Sequence, residues 1–194
     1  LIGHTKSVLT IAFHPFKRIL ASGSSDQSVI LWDTSLPDQP QQIIQLPEHP
    51  DYVVLVAFSP TGRFLAAGCY NGSIVLWDVE NPTQPVQVGQ AQVVDTPTSL
   101  AFAPNDAVLA VSEVNSYEPT SITFFDISSP GSPSILGTPI QNSSSRTVLF
   151  SLDGSLLAEG TDNGELVLWN IKDITNPVVF SKTKINNSSV FGMT

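Results

Sequence analysis

Short apolar runs separated by turn residues follow one another along the whole chain, and one arrangement of them returns four times. The first run of each unit ends at a phenylalanine, and the third ends at another aromatic residue. These anchor pairs are Phe13 and Trp32, Phe58 and Trp77, Phe102 and Phe125, and Phe150 and Trp169. Their separation is 19 residues in three units and 23 in the third, and a proline stands eight residues beyond each second anchor. The chain therefore consists of four copies of one structural unit.

Each unit predicts four short strands, because its runs are rich in β-branched and aromatic residues and are bounded by turn residues. In the first unit these strands are residues 8–13, 18–23, 28–32 and 41–46. In the first, second and fourth units the third run is apolar at every position, which indicates a strand covered on both faces. A repeat of 44 to 48 residues with this content is typical of a propeller blade, whose small sheet lies between two neighbours. We predict an all-β propeller segment of about four four-stranded blades.

The first unit contains a more specific motif. It has Gly-His at positions 3 and 4, Leu-Ala-Ser-Gly-Ser at 20–24, and an aspartate six residues before the Trp-Asp pair at 32 and 33. In these residues the chain resembles the WD-repeat (tryptophan-aspartate) β-propeller family, and the repeat extends the resemblance over essentially the whole chain. The resemblance implies a hydrogen-bond network of His4, Ser22, Asp26 and Trp32.

The other units depart from this motif. Ala67 takes the serine position in the second unit, Glu159 takes it in the fourth, and the third unit has no tryptophan. We therefore expect those three blades to depend more on apolar packing than on polar contacts.

One architecture spans residues 1–194, with blades at approximately 3–46, 47–90, 91–138 and 139–183. Residues 184–194 are predicted to begin a further blade, because residues 189–194 match residues 7–12 position for position. We therefore expect a fragment of a larger repeat protein. The resemblance implies a ring of about seven blades. The proline-rich connectors resemble repeats in large bacterial proteins that join a propeller to a signalling ATPase or kinase.

Composition restricts the class of partner. The chain has 17 acidic and 8 basic residues among 194, and the basic ones are scattered. Since nucleic acid is bound by clustered basic side chains, we predict a protein or peptide partner and no nucleic acid. No apolar run is long enough to cross a membrane, and no signal-like segment is present, so we predict a cytoplasmic protein that does not bind membranes.

Candidate chemistry is sparse. The three histidines do not have the spacing of a helical metal-binding motif, and no histidine is placed to activate the single cysteine, Cys69. We predict no catalytic residue, no cofactor and no metal. The alternative is a propeller enzyme, a hydrolase or lyase that uses tunnel carboxylates or a bound cation. Its candidate residues are Glu113, Glu118, Glu159 and Asp162.

The third unit has four extra residues between its second and third strands, in residues 113–120. Loops on a rigid scaffold often carry binding, and tyrosine is a favoured anchor. We predict a partner-binding surface made by Tyr117, Glu113 and Glu118, together with His49, Asp51, Tyr52 and Tyr70 from the preceding blade. The alternative is a longer hairpin without a binding role.

These observations predict a non-enzymatic protein-interaction scaffold or sensor platform, joined in the larger protein to a signalling ATPase or kinase. A second alternative is an architectural spacer or oligomerisation module. Because a four-blade segment leaves two blade faces uncovered, we also expect self-association.

Overall fold

In the computed structural model, the described residues are 3–114, 121–141, 145–185 and 188–190. Their regular elements are β-strands only. The first sheet contains β1 (Val8–Phe13), β2 (Ile19–Ser24), β3 (Val29–Asp33) and β4 (Gln41–Gln45), and the second contains β5 (Val53–Phe58), β6 (Phe64–Cys69), β7 (Ser73–Asp78) and β8 (Val86–Gln92). The third contains β9 (Thr96–Phe102), β10 (Val108–Val114), β11 (Ser121–Asp126), β12 (Ser134–Ile135) and β13 (Ile140–Gln141), and the fourth contains β14 (Ser145–Phe150), β15 (Leu156–Thr161), β16 (Glu165–Asn170) and β17 (Val178–Lys184).

Each sheet is antiparallel, and in the first, second and fourth sheets every strand pairs with the next one in the chain. In the third sheet the outer strand is divided into β12 and β13, and both segments pair with β11. The predicted class, an all-β segment of about four four-stranded blades, is confirmed. Within the described ranges there is no helix, and so none of a length and apolarity that could cross a membrane.

The sheets are stacked in chain order, and the innermost strands β1, β5, β9 and β14 are neighbours in that sequence. The second sheet shows how both faces are covered. One face, with Leu65 and Trp77, packs on Ala21 and Leu31 of the first sheet. The opposite face, with Leu76, packs on the third sheet. This burial on both faces explains the unbroken apolar run at positions 74–77 of β7.

Three of the four second strands carry a glycine where the next sheet comes closest. A Cβ added at Gly23 would lie 2.5 Å from Cγ1 of Val53, the first residue of β5. Gly68 and Gly160 hold the same position, and the nearest atoms of the following segment belong to Pro97 and Val190. Glycine is needed here because the sheets approach more closely than a side chain permits.

A contact that sequence reasoning did not find joins the second and third sheets. Asp106 lies in the turn between β9 and β10 with a φ of 55°, where the turns of the second and fourth sheets have glycine. The Asp106 carboxylate accepts hydrogen bonds from Ser59 Oγ at 2.9 Å and from Thr61 Oγ1. Aspartate is among the few residues that tolerate this backbone region. Here its carboxylate also binds the neighbouring sheet.

Candidate functional site

The loops that lead into the sheets and the turns between second and third strands lie at one end of the stack. Backbone hydrogen bonds join them: Tyr70 donates to Tyr52 at 2.9 Å, His49 to Gln27 at 2.9 Å, and Val93 to Gly72 at 3.0 Å. We call this end the tyrosine rim and define it as residues 4–7, 25–28, 47–52, 70–72 and 94–96. The opposite end, with residues 14–18, 34–40, 59–63, 79–85 and 103–107, is the proline rim.

Two of the predicted contact residues form an exposed aromatic pair on the tyrosine rim. Tyr52 is 42% exposed and Tyr70 is 57% exposed, and their ring centroids lie 6.4 Å apart. The backbone fixes them, because Tyr70 N–H donates to Tyr52 C=O and Tyr70 C=O accepts from Thr96 Oγ1 at 2.8 Å. The backbone segments that carry the two rings are therefore held beside each other.

Charged groups of both signs flank this pair. Asp51 Oδ1 accepts the Tyr52 N–H at 2.7 Å, just before β5 begins at Val53. Lys6 Nζ lies 5.7 Å from the centroid of the Tyr52 ring, a distance at which a cation is attracted by the aromatic face. The exposed surface thus combines two phenol rings, a carboxylate and an ammonium group.

Two other predicted contact residues are buried beneath the rim. His49 is 3% exposed, and its Nε2 accepts the Trp77 indole N–H at 3.2 Å. Burial lowers the pKa of His49 to about 4, so the ring is neutral at pH 7 and can accept that bond. Glu113 is 5% exposed and accepts from Ser121 Oγ at 2.5 Å and from the Asp95 N–H at 2.8 Å.

Both side chains therefore hold the loops in place from inside. The predicted contact of these two residues with a partner stays a prediction. Tyr117 and Glu118, the centre of the predicted binding loop, lie outside the described residues.

In the first sheet, a continuous set of hydrogen bonds joins the four residues of the implied network. The Trp32 indole N–H donates to Ser22 Oγ at 2.8 Å, and Ser22 Oγ lies 2.7 Å from His4 Nε2. His4 Nδ1 lies 3.1 Å from Asp26 Oδ2. Burial alone would raise the pKa of Asp26, but hydrogen bonds from Ser28, Thr5 and His4 outweigh it and hold that pKa well below its usual range.

The second and fourth sheets satisfy the buried indole N–H with different residues. In the second sheet Ala67 stands at the serine position and has no hydroxyl group. His49 Nε2 therefore accepts directly from the Trp77 indole N–H. In the fourth, Trp169 Nε1 donates to Glu159 Oε2 at 2.8 Å, and Glu159 is fully buried. We expected these blades to depend more on apolar packing than on polar contacts, and each of the two nevertheless provides a polar acceptor for its tryptophan N–H. The signal that could have revealed it is an acidic residue inside an apolar strand.

Residues of the enzyme alternative are engaged in structural contacts. Glu159 binds Trp169, and Asp162 accepts from Arg146 Nε at 2.5 Å and from Ser189 Oγ at 3.0 Å. Among the described residues, no three or more histidine, cysteine, aspartate or glutamate side chains are grouped to hold a metal ion. Cys69 is fully buried on β6, and burial raises the pKa of its thiol to about 11.

Comparison with known families gives a match in the first half of the chain. Residues 1–33 and 40–78 match WD40, described as WD domain, G-beta repeat. Comparison with curated proteins gives no match. The matched segments cover most of the first two sheets, and the third and fourth repeat the same four-stranded order. The match thus supports a WD-repeat family through the first 78 residues of the chain.

Proposed function

We propose that this protein is a non-enzymatic scaffold whose tyrosine rim binds a protein or peptide. WD40 repeats generally mediate protein-protein interaction, and the rim supplies a surface suited to it. The observation that carries the proposal is the exposed pair of Tyr52 and Tyr70, whose ring centroids lie 6.4 Å apart on loops joined by a backbone hydrogen bond. Rigid, partly exposed tyrosines lose little side-chain entropy on binding and are enriched among residues that dominate interface energy.

The charge of the chain supports a partner with basic groups. The formal net charge is −9, and Asp51 stands beside the exposed rings. Lys6 already lies over the Tyr52 ring, so this aromatic face accepts a cation from within the chain. A lysine or arginine of a partner would take the place of Lys6 over this ring and would be attracted by the net negative charge of the chain.

The test begins by replacing Tyr70 with a photo-crosslinking phenylalanine derivative in the source cell. The same replacement at Phe16, which is 78% exposed on the proline rim, is the matched control. A protein that is cross-linked only from position 70 is then purified. Its affinity is measured for the wild type, for the Tyr52→Ala, Tyr70→Ala double variant and for Phe16→Ala.

We expect the double variant to bind at least about tenfold more weakly, because truncation of an interface tyrosine costs more than about 1 kcal/mol. Phe16→Ala is expected to bind like the wild type. Unchanged affinity of the double variant for the purified partner would refute a role for this surface.

The role of a sensor platform is a finer part of the proposal. In a larger protein, the scaffold would present its bound partner to a signalling ATPase or kinase. The supporting observation is the proline-rich connectors, such as residues 37–40 and 82–85. They resemble repeats in large bacterial proteins that join a propeller to a signalling ATPase or kinase. Sequencing the reading frame on both sides of this segment tests the idea, and a frame without a nucleotide-binding domain would contradict it.

A further inference from the structure

Lys6 lies in the loop that leads into β1, and hydrogen bonds on both sides of it hold this part of the backbone. The Thr5 N–H donates to Asp26 Oδ2 at 2.7 Å, and the Ser7 C=O accepts from the Ser25 N–H at 3.0 Å. Both partners belong to the turn between β2 and β3 of the same sheet. The first sheet therefore fixes the point from which the Lys6 side chain extends.

The Lys6 side chain reaches the second sheet. Its ammonium nitrogen lies 5.7 Å from the centroid of the Tyr52 ring, and the centroid of the Tyr70 ring lies 6.4 Å from that of Tyr52. Lys6 forms no ion pair with a carboxylate of the described residues. Because a cation over an aromatic face is attracted by the electrons of the ring, the Tyr52 ring supplies a favourable contact for this ammonium group. The free chain therefore already carries a cation on its exposed aromatic pair.

A cationic group of a partner would need the same place. Two positive charges side by side over one phenol ring repel each other, so the ring face holds one of them at a time. From this geometry we infer that Lys6 is an internal competitor, which occupies the Tyr52 face in the free chain and must leave it before a cationic side chain of the partner binds there. This inference rests on the proposed role of the tyrosine rim in binding a partner.

The guanidinium group of arginine is the cation best suited to displace Lys6. It is planar and weakly hydrated and stacks on aromatic rings, whereas an ammonium group is compact and strongly hydrated. The two tyrosine rings are inclined by 46° to each other and are both exposed, so a planar group has ring faces on which to stack. An arginine side chain of the partner is thus the ligand of this aromatic pair.

The strength of the internal contact sets the size of the effect. A cation–π contact of the strength found at exposed sites keeps the ring face occupied in most molecules at any moment. A ligand that needs the unoccupied face then binds with an affinity reduced in proportion to the unoccupied fraction, here about threefold to sixfold. Removal of the Lys6 ammonium group should therefore strengthen the binding of an arginine side chain by this factor.

The test uses the tyrosines as reporters. The chain contains three of them, so labelling with ring-fluorinated tyrosine gives three fluorine NMR signals, and Tyr52→Phe and Tyr70→Phe assign two of these. The probe is the peptide acetyl-Gly-Arg-Gly-amide, and its matched control contains citrulline, which has nearly the shape of arginine but no charge. The movement of the Tyr52 signal with peptide concentration gives the dissociation constant for the wild type, Lys6→Met, Lys6→Arg and Lys172→Met. Lys172 is exposed in the connector between β16 and β17, and its replacement changes the net charge by the same amount as Lys6→Met.

We expect Lys6→Met to bind the arginine peptide about threefold to sixfold more tightly than the wild type, and Lys172→Met to stay within about twofold of it. Lys6→Arg should bind the peptide about twofold more weakly, because a guanidinium group holds the ring face better than an ammonium group. The citrulline peptide should bind the wild type and Lys6→Met equally weakly, since it carries no charge. Without any peptide, Lys6→Met should move the Tyr52 signal more than the Tyr70 signal.

Three results would overturn the inference. Equal gains in affinity for Lys6→Met and Lys172→Met would show an effect of net charge alone. Equal binding of the citrulline and arginine peptides would show that the aromatic pair does not recognise a cation. Tyrosine signals that the arginine peptide leaves unchanged in the wild type and in every variant would exclude a site for this cation, and loss of partner binding in the Tyr52→Ala, Tyr70→Ala double variant would then still support the proposed function. Unchanged partner affinity in that double variant would instead refute the proposed function itself.

Discussion

The first and fourth sheets have the same four-stranded order and carry a tryptophan at the same position, buried in the first and half-buried in the fourth, yet they satisfy its indole N–H in different ways. In the first, Trp32 donates to Ser22, which connects through His4 to Asp26. In the fourth, Trp169 donates directly to the buried carboxylate of Glu159. The difference shows that the fold requires a partner for the buried donor and does not require a particular set of residues.

The two remaining sheets extend the comparison. The second retains the histidine without the serine, so Trp77 donates to His49. The third has Phe125 at the tryptophan position and Val111 at the serine position, so neither side chain has a polar group to satisfy. At this one position of the fold, three sheets use different acceptors for the tryptophan N–H and the third sheet has an apolar replacement. The following variants test whether these arrangements contribute equally to the stability of the protein.

The largest effect is expected for Asp26→Ala. Asp26 accepts from Thr5 N–H, Ser28 N–H and Ser28 Oγ as well as contacting His4. Its loss should reduce the free energy of unfolding by about 3 kcal/mol, since several groups lose an ionised acceptor. Asn71→Ala is the control, because Asn71 holds the same position in the second sheet and its side chain accepts from Ser73 N–H. Urea titrations of both variants give the comparison, and equal losses would contradict a special role of the first network.

A pH effect should distinguish the second sheet from the others. Burial lowers the pKa of His49 to about 4 from 6.5. Below pH 6.5 the unfolded chain therefore binds a proton that the folded chain does not bind. Between pH 6.5 and 4 the free energy of unfolding should fall by up to about 3 kcal/mol from this residue. Asp26, with its lowered pKa, loses its contribution only below its ordinary value of 3.8.

The measurement compares urea unfolding at pH 7 and pH 5 for the wild type and His49→Gln. The variant should lose most of the pH dependence over this range. Burial and the charge of Lys17 also lower the pKa of His14, so a smaller dependence should remain. A wild-type stability that does not change between these two pH values would refute the assignment of a neutral His49.

A double-mutant cycle tests the fourth sheet. Trp169→Phe alone removes the N–H donor of the buried Glu159 and should destabilise the protein by about 2 kcal/mol. Adding Glu159→Val reproduces the pair found in the third sheet, and it should recover about 1 kcal/mol because the buried carboxylate is removed as well. Thermal unfolding of the two single variants and the double variant gives the coupling energy. Additive losses would show that the two side chains act independently.

The smallest effect is expected for Ala67→Ser, which places in the second sheet the hydroxyl that the first sheet has at Ser22. Because Trp77 already donates to His49, the hydroxyl adds no necessary partner. The change in the free energy of unfolding should be less than about 1 kcal/mol. A gain of stability as large as the loss caused by Ser22→Ala would indicate that the serine has an energetic role independent of its neighbours.

Sequence reasoning identified the features that depend on spacing and local residue type. The regular positions of Phe13, Phe58, Phe102 and Phe150 fixed where the innermost strands end, and all four residues close such a strand. The network of the first sheet followed from residues that stand at the positions of a family motif. The fold class could be predicted because one repeated unit places its own strands.

Features that depend on neighbours distant in the chain were not predicted. Glu159 resembled a surface carboxylate until its burial was known, and His49 resembled a rim contact. The bonds of Asp106 to Ser59 and Thr61 join two sheets through residues about 45 positions apart, which no local pattern reports. Burial and contact between blades therefore had to come from the structure.

The single cysteine makes the second sheet experimentally accessible in its native state. Its thiol has no solvent exposure, and its raised pKa of about 11 keeps it protonated at neutral pH. A thiol reagent can therefore react only when β6 separates from its neighbours and the side chain reaches water. The alkylation rate of Cys69 in ordinary buffer is thus a kinetic readout of how often this sheet opens, and it needs no label and no denaturant.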